Sequence, residues 1–163
     1  MTEVVVQFRR FGHVISAAVL TLLVAGRGLT TLPLSHDEYY TLYVMNEGLG
    51  SQLRDLPLLP YYSRQWISTL GGSWTSDRGL RALPLAAVVA VAVAVAAAAF
   101  RVGGRVSGYT AGALVALTAA FQQYGQTARP YAVGAALVAV ATYLLVRGVA
   151  SPERKGWCGL DPI

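Results

Sequence analysis

The chain has 163 residues, 55% of them hydrophobic and 13% charged, with a mean hydropathy of +0.49. An ordinary soluble domain carries roughly a quarter charged residues, so the composition excludes that class and indicates an integral membrane protein. The net charge of +5 lies beside apolar runs, where it orients helices, and no basic helix or aromatic-interleaved patch marks a nucleic-acid binder. Cys158 is the single cysteine, which excludes an internal disulfide and any multi-cysteine metal site.

The first apolar run, Phe11 to Gly26, follows the pair Arg9-Arg10. A cleaved signal peptide is the competing reading, but no small-x-small cleavage site follows Leu23 and apolar character resumes from Leu29 to Leu34. Arg9-Arg10-Phe11 lacks the remaining residues of a twin-arginine signal. A retained first span over about 11–29 is expected, with Arg27 snorkelling to the interface at its far end.

Over 30–81 the chain gathers Asp37, Glu38, Glu47, Asp55 and Asp77 with Arg54, Arg64, Arg78 and Arg81, among many leucines and aromatics. That mixture is too apolar for a disordered loop and too charged to cross a bilayer, so short amphipathic helices on the membrane surface are predicted. One covers Asp37 to Leu49, and another follows Pro60, where Tyr61, Tyr62, Gln65 and Trp66 suit an interface. Gly71-Gly72-Ser73 breaks the pattern.

Ala82 to Phe100 carries no charge and predicts a second span over about 82–100. Its Val91-Ala92-Val93-Ala94-Val95 core alternates like a strand, but its length and lack of turn signals favour a helix. Arg101, Gly103, Gly104 and Arg105 predict a tight basic turn. A third span follows over about 106–124, with Gln122, Gln123 and Gln126 unusually polar near lipid, and Gly108/Gly112 offers small-residue helix packing. Arg129-Pro130 opens a fourth span over about 130–147, proline being free to start a helix. Four spans put Arg9-Arg10, Arg101/Arg105 and Arg147/Arg154/Lys155 on the cytoplasmic side. The expected architecture is therefore an all-α, multi-pass protein with a cytoplasmic N-terminus. Segment 30–81 and the 124–129 turn share the outer face, and residues 151–163 form a cytoplasmic tail.

That topology brings Asp37, Glu38 and Arg129 to one membrane surface. The carboxylates have a plain reading, as loop solvation or as helix N-terminal residues favoured by the macrodipole. The chemistry they suit is deprotonation of an acceptor hydroxyl, with burial and the like-charged neighbour raising a carboxylate's pKa. Arg129 suits an interfacial anchor beside Tyr124 and Tyr131, or a phosphate partner, since a guanidinium pairs phosphate oxygens in a fork. Arg54 and Arg64 are weaker candidates for the same work, and the Pro57, Pro60, Tyr61, Tyr62 cluster reads more as loop punctuation with membrane aromatics than as a ligand surface. His13 and His36 lack partners at metal-ligand spacing, and no phosphate-cradling glycine loop is present.

Four elements then occur in order: Asp37-Glu38-Tyr39-Tyr40, Pro57 to Tyr62, Leu80-Arg81-Ala82-Leu83-Pro84, and Tyr124-Gly125-Gln126-Thr127-Ala128-Arg129-Pro130-Tyr131. Together they resemble the N-terminal part of the GT-C membrane glycosyltransferases. The resemblance is to the family 39-like group of bacterial protein mannosyltransferases and lipid A aminoarabinose transferases, and it covers roughly Phe11 to Ala150. It implies inverting transfer of a sugar from a polyprenyl-phosphate donor to an acceptor hydroxyl on the outer face of the plasma membrane. Asp37 would be the general base, Glu38 its neighbour in the site, and Arg129 a partner of the lipid phosphate or of the carboxylates, with Arg64 and Tyr61 further candidates for the phosphate. No cofactor is implied, and a requirement for a divalent cation is left open. Members of this group have many more spans, so by the resemblance the chain is expected to be either a truncated member or an intact four-span relative. The alternative from a different class is a non-enzymatic four-helix membrane protein, a transporter or a complex subunit.

Overall fold

The computed structural model describes residues 2–29, 33, 35–36, 38–40, 43 and 77–149. Among these the chain is helical throughout, without a strand. Helix α1 spans Thr2–Ala25 and tightens into a 3-10 turn at Gly26–Leu29. Helix α2 spans Asp77–Leu117, α3 spans Ala119–Gln126 and α4 spans Tyr131–Val149. A short helical stretch includes His36, Glu38, Tyr39, Tyr40 and Tyr43. The apolar stretch Arg81–Leu117 and the helix Tyr131–Val149 are long and apolar enough to cross a membrane, and Phe11–Ala25 is a shorter apolar helix.

The backbone of α2 reverses at Gly104, whose φ of 76° and ψ of −162° are open only to glycine at low cost. In a straight helix Ala96 and Gly112 would lie about 24 Å apart. Here a Cβ at Gly112 would sit 3.2 Å from that of Ala96, and one at Gly108 would sit 3.0 Å from that of Phe100. The segments 77–103 and 105–117 therefore run antiparallel, reversing inside the turn expected between Arg101 and Arg105.

A second break, at Thr118, interrupts the continuous helix expected over 106–124. Thr118 adopts an extended ψ of 120°, and its hydroxyl donates to the Leu114 carbonyl at 2.6 Å. Two of the three glutamines, Gln122 and Gln126, serve such helix ends. Gln122 donates to the Ala116 carbonyl at 3.4 Å and Gln126 to the Ala25 carbonyl at 3.0 Å, occupying acceptors that a helix C-terminus leaves open. At the start of α4, the Gly134 amide donates to the Pro130 carbonyl at 2.9 Å, so proline opens this helix as its missing N–H allows.

Helix α2 is the hub, packed against α1 and against α4. The interior is built from small residues: Ala17, Val91, Ala92, Ala96 and Val115 form one cluster, and Ala87, Val88 and Ala132 a second. On α1 the buried positions His13, Ala17, Thr21 and Ala25 recur every four residues, while Phe11, Ile15, Val19, Leu22 and Leu23 face outward. Small residues inside with large apolar residues outside is the packing expected of helices solvated by lipid.

Gly112 sits where α1 and α2 approach closely, and a Cβ there would come within 2.7 Å of the Ala17 Cβ. Gly112→Leu should therefore destabilise the bundle by about 1–3 kcal/mol. Gly134→Leu, at a position with nothing within 4 Å of a Cβ, should stay within about 0.5 kcal/mol of the parent. Unfolding in detergent micelles, followed by circular dichroism, checks both.

Candidate functional site

The polar centre of the molecule is Glu38. Ser35 precedes the short helical stretch and Glu38 stands three residues on, the spacing of a capping box. The reciprocal bonds are present: the Ser35 amide donates to Glu38 Oε2 at 2.9 Å, and the Glu38 amide donates to Ser35 Oγ at 3.3 Å. The carboxylate also leaves its own segment. Arg81, at the start of α2, donates from Nε to Oε1 at 2.9 Å and from Nη2 to Oε2 at 2.8 Å. The same Nη2 donates to the Pro33 carbonyl at 2.8 Å. From the α3–α4 turn, the Ala128 amide donates to Oε1 at 3.0 Å.

Glu38 and Arg81 are 1% and 2% exposed, so this is a dry, two-pronged ion pair whose carboxylate accepts four hydrogen bonds. Its pKa runs opposite to the rise expected for a carboxylate at this corner. Burial pushes it up, but the Arg81 hydrogen bonds, those from the Ser35 and Ala128 amides, and the Arg81 charge together outweigh burial and hold it below the ordinary 4.5. Glu38 is therefore ionised and fully engaged, and its geometry suits a holding role better than accepting a proton.

This single side chain ties the 33–40 corner to α2 and to the turn that carries Arg129. The Arg129 Nε is buried and its amide donates to the Thr127 carbonyl at 2.8 Å. The flanking Tyr124 and Tyr131 rings lie 5.6 Å apart. Beneath the turn, a Cβ at Gly125 would sit 3.3 Å from Val88 and 3.5 Å from Ala25, so glycine lets α3 close down on α1 and α2. Asp37, Arg64 and Tyr61 lie outside the described residues. Of the candidates named from sequence, Glu38 and Arg129 are thus brought to one corner of the fold.

Sequence reasoning quoted Arg81 within a motif but gave it no role, and it also missed Ser35 and the Ala128 amide. The capping box was legible as Ser35-x-x-Glu38; the partner in α2 was not, because no local pattern pairs it with Glu38. Among the described residues no group of three His, Cys, Asp or Glu side chains could hold a metal ion. His13 instead stacks on Phe100, with ring centroids 4.2 Å apart, and meets Tyr109 edge-on. Compared with known proteins, the chain matches no family model, and no curated sequence or solved structure is significantly similar to it.

Removing one member of a buried pair strands the other, at a cost of about 3–5 kcal/mol. Glu38→Leu and Arg81→Met should each show a loss of that size, and the double replacement much less than the sum; a double-mutant cycle on unfolding free energies reads the difference. The pH dependence follows from the lowered pKa. The contribution of Glu38 is fully present above the unfolded value near 4.5 and is lost as pH falls through the lower folded value. Parent stability should accordingly drop more steeply below pH 4.5 than that of Glu38→Gln, measured by thermal melts across an acid series.

Proposed function

We propose that the chain is part of a GT-C-type membrane glycosyltransferase and carries the acceptor side of its site. In this reading α1, the two arms of α2 (the second continued by α3) and α4 cross the bilayer four times. The Glu38 corner faces outward and the Gly104 turn faces the cytoplasm. The observation that carries the reading is the hydrogen bond from the Ala128 amide to Glu38, which joins the Asp37-Glu38 element to the Tyr124–Tyr131 element, far apart in sequence, at one end of the bundle.

The chemistry is a single displacement. Asp37 takes the proton from an acceptor hydroxyl as its oxygen bonds to the anomeric carbon of the donor sugar. The bond from that carbon to the phosphate oxygen breaks with its electron pair, releasing polyprenyl phosphate, and attack from the opposite face inverts the centre. Arg129, with Arg64 and Tyr61, balances charge gathering on the departing phosphate. Glu38 and Arg81 position the two elements and do not touch the reacting atoms.

A scaffold reading, as a transporter or complex subunit, draws on the saturation of Glu38, since a clamp is all a scaffold needs from it. The two readings part at Asp37. Membranes containing the full-length protein, assayed with polyprenyl-phosphate mannose and polyprenyl-phosphate aminoarabinose, should lose at least about a hundredfold of transfer on Asp37→Asn, with unchanged thermal stability. Transfer that survives the substitution would remove Asp37 as the base, and absence of transfer from the parent with both donors would favour the scaffold.

A further inference from the structure

An apolar groove of about 580 Å³ runs between the first arm of α2 and α4, within the size range of ligand pockets. Val95, Ala99 and Val102 form one wall, and Val138, Thr142 and Val146 belong to the other. The Thr142 hydroxyl is turned back onto the Val138 carbonyl at 2.8 Å, so the lining makes no polar demand on an occupant. The groove runs toward the Gly104 turn, away from the Glu38 clamp. Along α2, Arg81 and Arg101 are separated by about 30 Å of helix, so this end is remote from the proposed transfer site.

Arginines of α2 and α4 gather at this end. Arg101 adjoins Val102 at the end of the groove, and its guanidinium lies over the Tyr143 ring, 5.8 Å from the centroid, bridging the two helices that form the walls. Arg147 adjoins Val146 and stands one turn beyond Tyr143, on the same side of α4. Arg105 follows just past the reversal. Neither α2 beyond Asp77 nor α4 carries an acidic residue. A guanidinium held over an aromatic ring still has N–H donors in its plane, suited to the edge of a phosphate.

From this arrangement we propose an anionic phospholipid site: one acyl chain lies in the α2–α4 groove and the headgroup phosphate sits on Arg101 and Arg147. Charge complementarity selects the occupant, since an apolar slot ending in arginines matches a lipid whose phosphate is not cancelled by a headgroup cation. The site rests on the membrane part of the proposed function and is independent of the transferase part.

The test uses the purified full chain in non-ionic detergent, titrated with dioleoyl phosphatidylglycerol or dioleoyl phosphatidylcholine and read by native mass spectrometry. The expected result is about tenfold tighter binding of phosphatidylglycerol, lost in the Arg101→Gln/Arg147→Gln variant. Val102→Trp, at a groove-lining position 80% exposed and so tolerant of bulk, should weaken both lipids, and inorganic phosphate should not compete. Equal binding of the two lipids, a preference that survives loss of both arginines, or phosphatidylglycerol binding untouched by Val102→Trp would each overturn the site. Alkaline carbonate extraction of cell membranes reports separately on the membrane reading: release of the chain would sink that reading, whereas retention without lipid selectivity would sink only the site.

Discussion

The structure depends most on a carboxylate that cannot afford to lose a partner. Desolvating an anion costs several kcal/mol even after relaxation, and Glu38 is almost fully buried. Four donors on its two oxygens compensate that cost, and they come from three places: the Ser35 amide, the Arg81 fork and the Ala128 amide. Because these four donors belong to three stretches of chain, the ion stays solvated by protein only when all three are assembled. Arginine is required here for its geometry. One planar head delivers Nε and Nη2 to separate carboxylate oxygens while Nη2 also reaches the Pro33 carbonyl, which a lysine ammonium at the end of a flexible stem cannot reproduce.

The rest of the bundle reaches the same close approach by a different route. Ala17, Ala92, Ala96 and Gly112 bring helices together by leaving out side chains, so the packing is gained from backbone proximity and not from large buried residues. Helices that expose Leu137, Val138, Leu144 and Leu145 gain little by hiding them if the solvent is lipid. Polar groups therefore supply specificity at the two ends, with Gln126 on the Ala25 carbonyl near the clamp and the His13–Phe100–Tyr109 aromatic contact at the other.

Legibility in the sequence follows the range of the interaction. The apolar stretches, the Gly103-Gly104 reversal and the proline start of α4 are local effects of composition and backbone freedom, and each is readable from a few neighbouring residues. The break at Thr118 is not, because threonine carries no breaker signal and the interruption is stabilised after the fact by its hydroxyl on Leu114. Helix α1 begins at Thr2, well before the apolar run at Phe11, since nothing in the intervening residues stops a helix. The Ser35-x-x-Glu38 spacing is legible in the sequence, but so is the adjacent Asp37-Glu38 pair, which taken alone suits acid–base chemistry. What decides the role of Glu38 is Arg81, and that pairing exists only in three dimensions.

The clamp also changes the electrostatics that a neighbouring carboxylate would meet. Adjacent acidic residues in sequence suggest mutual repulsion, which raises a pKa and favours a proton acceptor near neutrality. With the Glu38 charge matched by Arg81 at 2.8 Å, most of that repulsion is cancelled within the ion pair, leaving a dipole in place of an isolated anion. In the transferase reading, Glu38 is then not the group that would raise the basicity of Asp37. The clamp is thus best understood as holding two elements in register while staying electrostatically quiet.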